Sequence, residues 1–293
     1  MILSIGEILA DMIGEKSENG IAYTCLLGGA PFNLAFNAKQ AGAKVAFIGK
    51  VGNDGIGDFL KSTAQKANLD KLTIQTDENK NTTLAFVTLT DGERDFNFFR
   101  RETADYSIDI SNLNFNNYDG LNIIHLGSLM LSEKAGKKVA KKIATMTKKA
   151  GKLLSFDLNF RHDIFGTVEN ARKAYKPYID CADIVKFSEE ELTDYTGLDN
   201  FDDAVNAVKA PNKLIVVTLG AKGSSYYYNE LHGTISTEPI KPIDTTGAGD
   251  AFFGTLLACL DGKEFNKENL ESALVKANKA GAQTTQFKGA IKL

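Results

Sequence analysis

The chain has 293 residues, of which 43% are hydrophobic, enough apolar material for one large core and too much for a disordered or fibrous protein. Its formal net charge of −3 offers no general attraction to nucleic acid or to an anionic membrane surface. Cys25, Cys181 and Cys259 lack metal-ligand spacing, no apolar run reaches the ~18 residues of a membrane span, and no charged leader opens the chain. A reduced, cytoplasmic protein acting on small molecules is expected.

Residues 1–6 read as a first strand, and 8–13 with 21–27 as an antiparallel pair. Gly28-Gly29-Ala30-Pro31-Phe32-Asn33 then leads from strand into a helical pattern. Pro31 suits a first helical turn, the glycines let backbone approach a ligand, and Asn33 offers a donor and an acceptor to a hydroxyl; an ordinary strand-to-helix turn would use the same residues. Residues 82–90 and 94–99 read as a second antiparallel pair, joined by Asp91-Gly92. Between and after these pairs, β-branched runs at 45–49, 123–126, 153–157, 184–187 and 214–218 alternate with helical patterns. That rhythm predicts an α/β fold, a doubly wound, mainly parallel sheet that binds ligands at the carboxyl ends of its strands. The expected organisation is one domain over 1–293, with a β lid from about 8–27 and 82–100 that would keep water from a reacting phosphate.

Eight lysines between 134 and 152 have Val139, Ile143 and Met146 at helical spacing among them, which predicts a crossover helix with a solvated face. Strand alternation would put Asp157, Asn159 and Arg161 on one side, as a site or a salt-bridged edge. Thr218-Leu219-Gly220-Ala221-Lys222-Gly223-Ser224 would seat a nucleotide or form a hairpin turn into 225–228. Most informative is Asp244-Thr245-Thr246-Gly247-Ala248-Gly249-Asp250, followed by an apolar run. Small residues and a helix N-terminus make an anion hole, and the dipole there favours an ionised Asp250 able to take a proton beside a bound phosphate. A plain turn capped by Thr246 is the alternative. There is no G-x-x-x-x-G-K-[ST] and no protein-kinase loop set, and Phe252 breaks a dinucleotide fingerprint.

In this order and spacing the motifs resemble the ribokinase-like (PfkB-type) family of small-molecule kinases over nearly the whole chain. The resemblance implies a nine-stranded-type core with a β lid. It assigns Asp250 as the base, the amides of Gly247, Ala248 and Gly249 as the anion hole, and Arg161 to the phosphoryl region. Asp11, Gly28, Gly29, Asn33 and Asn159 match positions that hold sugar hydroxyls, while Thr218, Gly220, Gly223 and Asn278 match the nucleotide site, which Gly249 also borders. ATP and Mg²⁺ are implied, with Glu191 orienting the metal through water, and Asp244 with the Thr246 carbonyl matches part of a monovalent-cation site that would take K⁺. Ser188 stands where many relatives have Asn, beside the nucleotide, and is a mark of fructokinase-like members.

Gly6-Glu7-Ile8-Leu9-Ala10-Asp11, residues 93–100 and Lys186-Phe187-Ser188-Glu189-Glu190 look most like fructokinases, so D-fructose is the expected acceptor. Phe98 and Arg100 on the lid strand would meet the sugar. Alternatives are 2-keto-3-deoxygluconate, ribose or a nucleoside as acceptor, or a non-catalytic sugar-binding protein on this fold. Exposed lid residues such as Phe96 and Phe98 would pair two chains.

Overall fold

Runs such as Val45–Gly52 and Leu214–Thr218 are buried along almost their whole length, as parallel strands covered on both faces must be. The computed structural model describes residues 1–18, 20–90, 93–238 and 240–293, apart from the side chains at 16, 17, 88–90, 93–96, 162 and 163. The expected Asp91-Gly92 turn and the Phe96 side chain lie outside the described residues.

Seven strands run parallel: β1 (Ile2–Ile5), β4 (Val45–Gly52), β5 (Lys71–Asp77), β8 (Ile123–Leu126), β9 (Leu153–Asp157), β10 (Ile184–Ser188) and β11 (Leu214–Thr218). With the antiparallel β12 (Ser224–Tyr228) and β13 (Leu231–Ile235) they make a nine-stranded sheet of order β13-β12-β11-β10-β9-β8-β1-β4-β5. Helices cover both faces. Ile2 packs in one layer with α1 (Ala30–Gln40), α2 (Gly55–Gln65), α8 (Ala248–Leu260) and α9 (Lys267–Thr284). Leu3 and Ile5 pack in the other with α3 (Lys134–Lys149), α4 (His162–Phe165), α5 (Val168–Cys181), α6 (Glu189–Thr196) and α7 (Phe201–Val208). Along α3 the buried residues include Ala140, Ile143 and Ala144 while its lysines stay exposed, so the basic run is a solvated face. Among the described residues no helix is long and apolar enough to cross a membrane.

The two expected hairpins, β2 (Leu9–Ser17) with β3 (Gly20–Gly28) and β6 (Leu84–Thr90) with β7 (Glu93–Phe99), join through a parallel β2–β6 seam into a separate four-stranded sheet. Period-two alternation splits its aromatic pair: Phe98 turns inward and Phe99 is 57% exposed.

Candidate active site

Helices α1 and α8 lie close together because Gly254 has no side chain; a Cβ there would stand 2.4 Å from the Leu34 carbonyl oxygen. Their N-termini therefore open side by side, at the end of the large sheet where β1, β9 and β10 finish. Between that end and the small sheet is a cavity of about 290 Å³. The small sheet supplies Leu9, Asp11 and Phe98, the α1 turn Gly29 and Asn33, and the α8 turn Thr246, Gly247, Gly249 and Asp250. Asp157, Asn159 and Arg161 line it too, though not by strand alternation. β9 stops at Asp157 and Asn159 adopts a left-handed φ of 42°, so the irregular segment after the strand delivers the last two side chains.

Gly28 is not part of the wall. It makes room for Asp11, since a Cβ on Gly28 would lie 2.1 Å from Asp11 Oδ2. Gly28→Ala must displace that carboxylate, and we expect the KM of the substrate held in this cavity to rise by about tenfold or more, the scale of one lost charged hydrogen bond, with the KM of a co-substrate bound elsewhere unchanged. Steady-state kinetics with each substrate varied checks this, and a matched rise in both constants would contradict it.

The helix cap is Gly247, at φ 73°, rather than Thr246. A Cβ at Gly247 would also meet Ala290 at 2.5 Å, so both conformation and space reserve the position for glycine. Asp250 sits in the first turn of α8 and its Oδ2 accepts a hydrogen bond from Asn33 Nδ2 at 2.8 Å. Burial raises the Asp250 pKa, opposed by that bond and by the Lys186 and Arg161 charges. Desolvation is the largest of these influences, so the buried carboxyl holds its proton more tightly than a free aspartate does, against the expectation of a carboxylate kept ionised at the helix start. Asn33 Oδ1 is buried with no hydrogen-bond partner among the described residues, an acceptor suited to a ligand hydroxyl.

Lys186 stood in the sequence only as part of a fructokinase-like stretch, with no role of its own in the site. Its Nζ lies 2.9 and 3.1 Å from the two oxygens of Asp157, its register partner across β9 and β10, and 3.9 Å from Glu191 Oε2. Desolvation works against the ammonium, but Asp157 and then Glu191 overcome it and raise its pKa. Lys186 keeps its proton. The available signal was a lone cation inside the otherwise apolar run Ile184-Val185-Lys186-Phe187.

A second cavity, also about 290 Å³, is lined by Thr218, Gly220, Gly223, Ala248, Gly249 and Asn278, among others. Thr245 and Gly249 border both cavities, so the small-residue turn is the wall between them. The segment after β11 is both a hairpin connection and part of the lining of the second cavity, through its 3₁₀ turn Gly220–Lys222. Asn278 Nδ2 donates to the Ile235 carbonyl, holding β13 against α9. Ser188 caps α6, its hydroxyl accepting from Glu191 N at 3.1 Å while Ser188 N donates to Glu191 Oε2 at 2.7 Å. It lines a shallow hollow with Thr218 and Gly220, next to the second cavity rather than in it. Glu191 Oε1 accepts from Phe160 N at 2.9 Å. Asp244 accepts from Thr246 N at 2.7 Å and Gly289 N at 2.8 Å, tying the α8 turn to the C-terminal loop. Among the described residues no group of three His, Cys, Asp or Glu is placed to hold a metal ion.

Arg100 departs from expectation. It follows the end of β7, is 7% exposed, and does not line the first cavity. Its Nε donates to Asp105 Oδ2 at 2.8 Å, and a further bond reaches Ser132. Arg100→Ala would strand a buried Asp105 carboxylate and is expected to cost roughly 3–5 kcal/mol of stability. Urea unfolding measures that loss, and a selective rise in sugar KM at unchanged stability would restore the direct role.

Comparison with known proteins agrees with this geometry. A family model described as pfkB family carbohydrate kinase matches residues 1–293. A probable fructokinase-2 of Arabidopsis thaliana is 37% identical over 301 residues, covering 99% of this chain and 92% of that protein. A fructokinase from Vibrio cholerae O395, solved with fructose, ADP and calcium, superposes with a TM-score of 0.89 at 32% identity, covering 99% of this chain and 94% of the other. A fructokinase from Xylella fastidiosa with bound ATP gives 0.87 at 29% identity, with coverage of 99% and 93%.

Proposed function

This chain belongs to the pfkB family of carbohydrate kinases, and we propose that it transfers the γ-phosphoryl group of ATP to D-fructose, giving fructose 6-phosphate and ADP. The observation that carries this reading is Asp250 beside the small-residue wall shared by two cavities. Fructose occupies the first, where Asp11, Asn33 and Asn159 meet its hydroxyls and Phe98 covers one side. ATP occupies the second, with its γ-phosphate at the wall. Asp250 accepts the proton of the attacking hydroxyl as the new O–P bond forms, and the electron pair of the breaking P–O bond leaves on ADP. The amides of Gly247, Ala248 and Gly249 and the guanidinium of Arg161 face the charge on the phosphoryl oxygens.

Mg²⁺ fits as an ion brought in with the nucleotide, because among the described residues no ready cage of protein ligands exists, while Glu191 stands 3.9 Å from Lys186 beside the cavity. When bound it supplies charge neutralisation across the phosphates. Glu191 would hold its water, and Asp244 with the Thr246 carbonyl would hold K⁺. The small sheet is read as a lid over the sugar, inserted in a single domain, in a cytoplasmic enzyme. Its outer face exposes Ile21, Tyr23 and Phe99, at 54%, 39% and 57%, an apolar patch suited to pairing two lids in a homodimer; Phe98, turned to the sugar, is not part of it.

Four acidic side chains, Glu7, Asp11, Asp157 and Asp250, line the first cavity with two cations, Arg161 and Lys186, and burial raises the Glu7 pKa to about 8; no excess of cations is there to hold a carboxylate, which disfavours an acidic sugar and supports a neutral one. ADP release from MgATP with fructose, ribose, glucose, adenosine and 2-keto-3-deoxygluconate tests the reading. Turnover of fructose is expected. Turnover of another sugar alone would move the acceptor, and silence across the panel with ATP still bound would leave a non-catalytic protein.

A further inference from the structure

We infer that Lys186 is a further catalytic residue, an ammonium that grips the phosphoryl group in transit between the two cavities; this rests on the kinase reading above. Its side chain is 7% exposed, yet it lines the sugar-side cavity. Its Nζ stands 3.1 Å from where a side chain on Gly249 would begin, and Gly249 borders both cavities. The ammonium is therefore at the passage a transferred group must cross.

Stability alone does not account for this placement. A buried ion pair repays its desolvation poorly, and two apolar residues of similar volume would hold β9 to β10 at least as well. Among the described residues the hydrogen bonds of the Lys186 ammonium both go to Asp157, while Glu191 at 3.9 Å contributes charge without a hydrogen bond. An ammonium has three N–H donors, so capacity remains for an oxygen in the cavity. Gly249 keeps the approach open, because any side chain there would press on the Lys186 ammonium.

In the reaction the hydroxyl proton passes to Asp250, the O–P bond forms, and the bond to the β,γ-bridging oxygen breaks with its pair leaving on ADP. Lys186 takes no proton and gives none. It donates a hydrogen bond to a peripheral oxygen of the phosphoryl group, across from the amides of the α8 turn, where charge is greatest midway in the transfer.

Lys186→Met and Lys186→Arg, compared with wild type, test this by kcat, both KM values, ADP affinity and urea midpoint. Lys186→Met is expected to lower kcat by about 10²–10³-fold, the scale of one lost transition-state donor, with fructose KM and ADP affinity close to wild type. Lys186→Arg recovers part of the rate, because it restores the positive donor. If Lys186→Met does not fold, Lys186→Gln, which can still bond Asp157, replaces it with the same expectation. A kcat reduced by less than about tenfold, or a fall that follows a lowered urea midpoint and weakened binding of both substrates, overturns the assignment. Wild-type enzyme silent on every sugar overturns the kinase reading and this inference with it, whereas an active wild type with an active Lys186→Met overturns this inference alone.

Discussion

Replacing Asp250 with Asn is expected to lower kcat by about 10²–10⁴-fold, the contribution of a positioned general base, while fructose and ATP bind nearly as in wild type. The substitution keeps the shape of the side chain. Its amide oxygen can still accept from Asn33 Nδ2, which is 2.8 Å from the native carboxylate, so the contact between α1 and α8 survives. What is lost is the ability to take a proton. The native carboxyl must be ionised to act, and burial raises its pKa, so wild-type kcat/KM should fall with acidity at a pH above the ordinary carboxylate range. Profiles of kcat and kcat/KM for both proteins provide the check. A variant within about tenfold of wild type would place the base elsewhere.

Asp250 was legible in the sequence because its setting is local: three small residues, one helix start and one carboxylate within a single turn. The α1 turn was legible for the same reason, through Gly29, Pro31 and Asn33. Asp157, Asn159 and Arg161 were found together by an argument that fails in detail, since strand alternation ends at Asp157 and the left-handed Asn159 does the rest. Lys186 acquires its meaning from Asp157, 29 positions away in sequence but opposite it across a strand pair, which no local pattern encodes. Arg100 failed for the converse reason. Its strand was read correctly, but β7 ends one residue earlier, and the partner that claims the guanidinium, Asp105, lies beyond the strand. In the fold, the strands missed were β5 and β13, whose exposed and half-exposed residues carry no continuous apolar run.

Glu7 gives the second large effect, on stability. It lies just past β1, is 2% exposed, and its Oε2 is buried with no hydrogen-bond partner among the described residues. Burial raises its pKa from 4.5 to about 8; a bond from its own backbone amide and the Arg100 charge oppose the shift, and Asp105 and Asp250 add to it. The folded protein thus holds this proton more tightly than the unfolded chain does. The stabilisation is complete below the unfolded pKa of 4.5 and is lost as pH rises through the folded value near 8. Across that window the loss is about 5 kcal/mol. Glu7→Gln, neutral at every pH, should remove the slope and exceed wild type in stability by a growing margin above pH ~5. The physical origin is desolvation, so the gain requires only that the uncharged side chain occupy the same space. Urea midpoints of both proteins between about pH 5 and 9 decide the matter: converging curves at acid pH that separate toward alkali are expected, and parallel curves would show that Glu7 is ionised in the folded state.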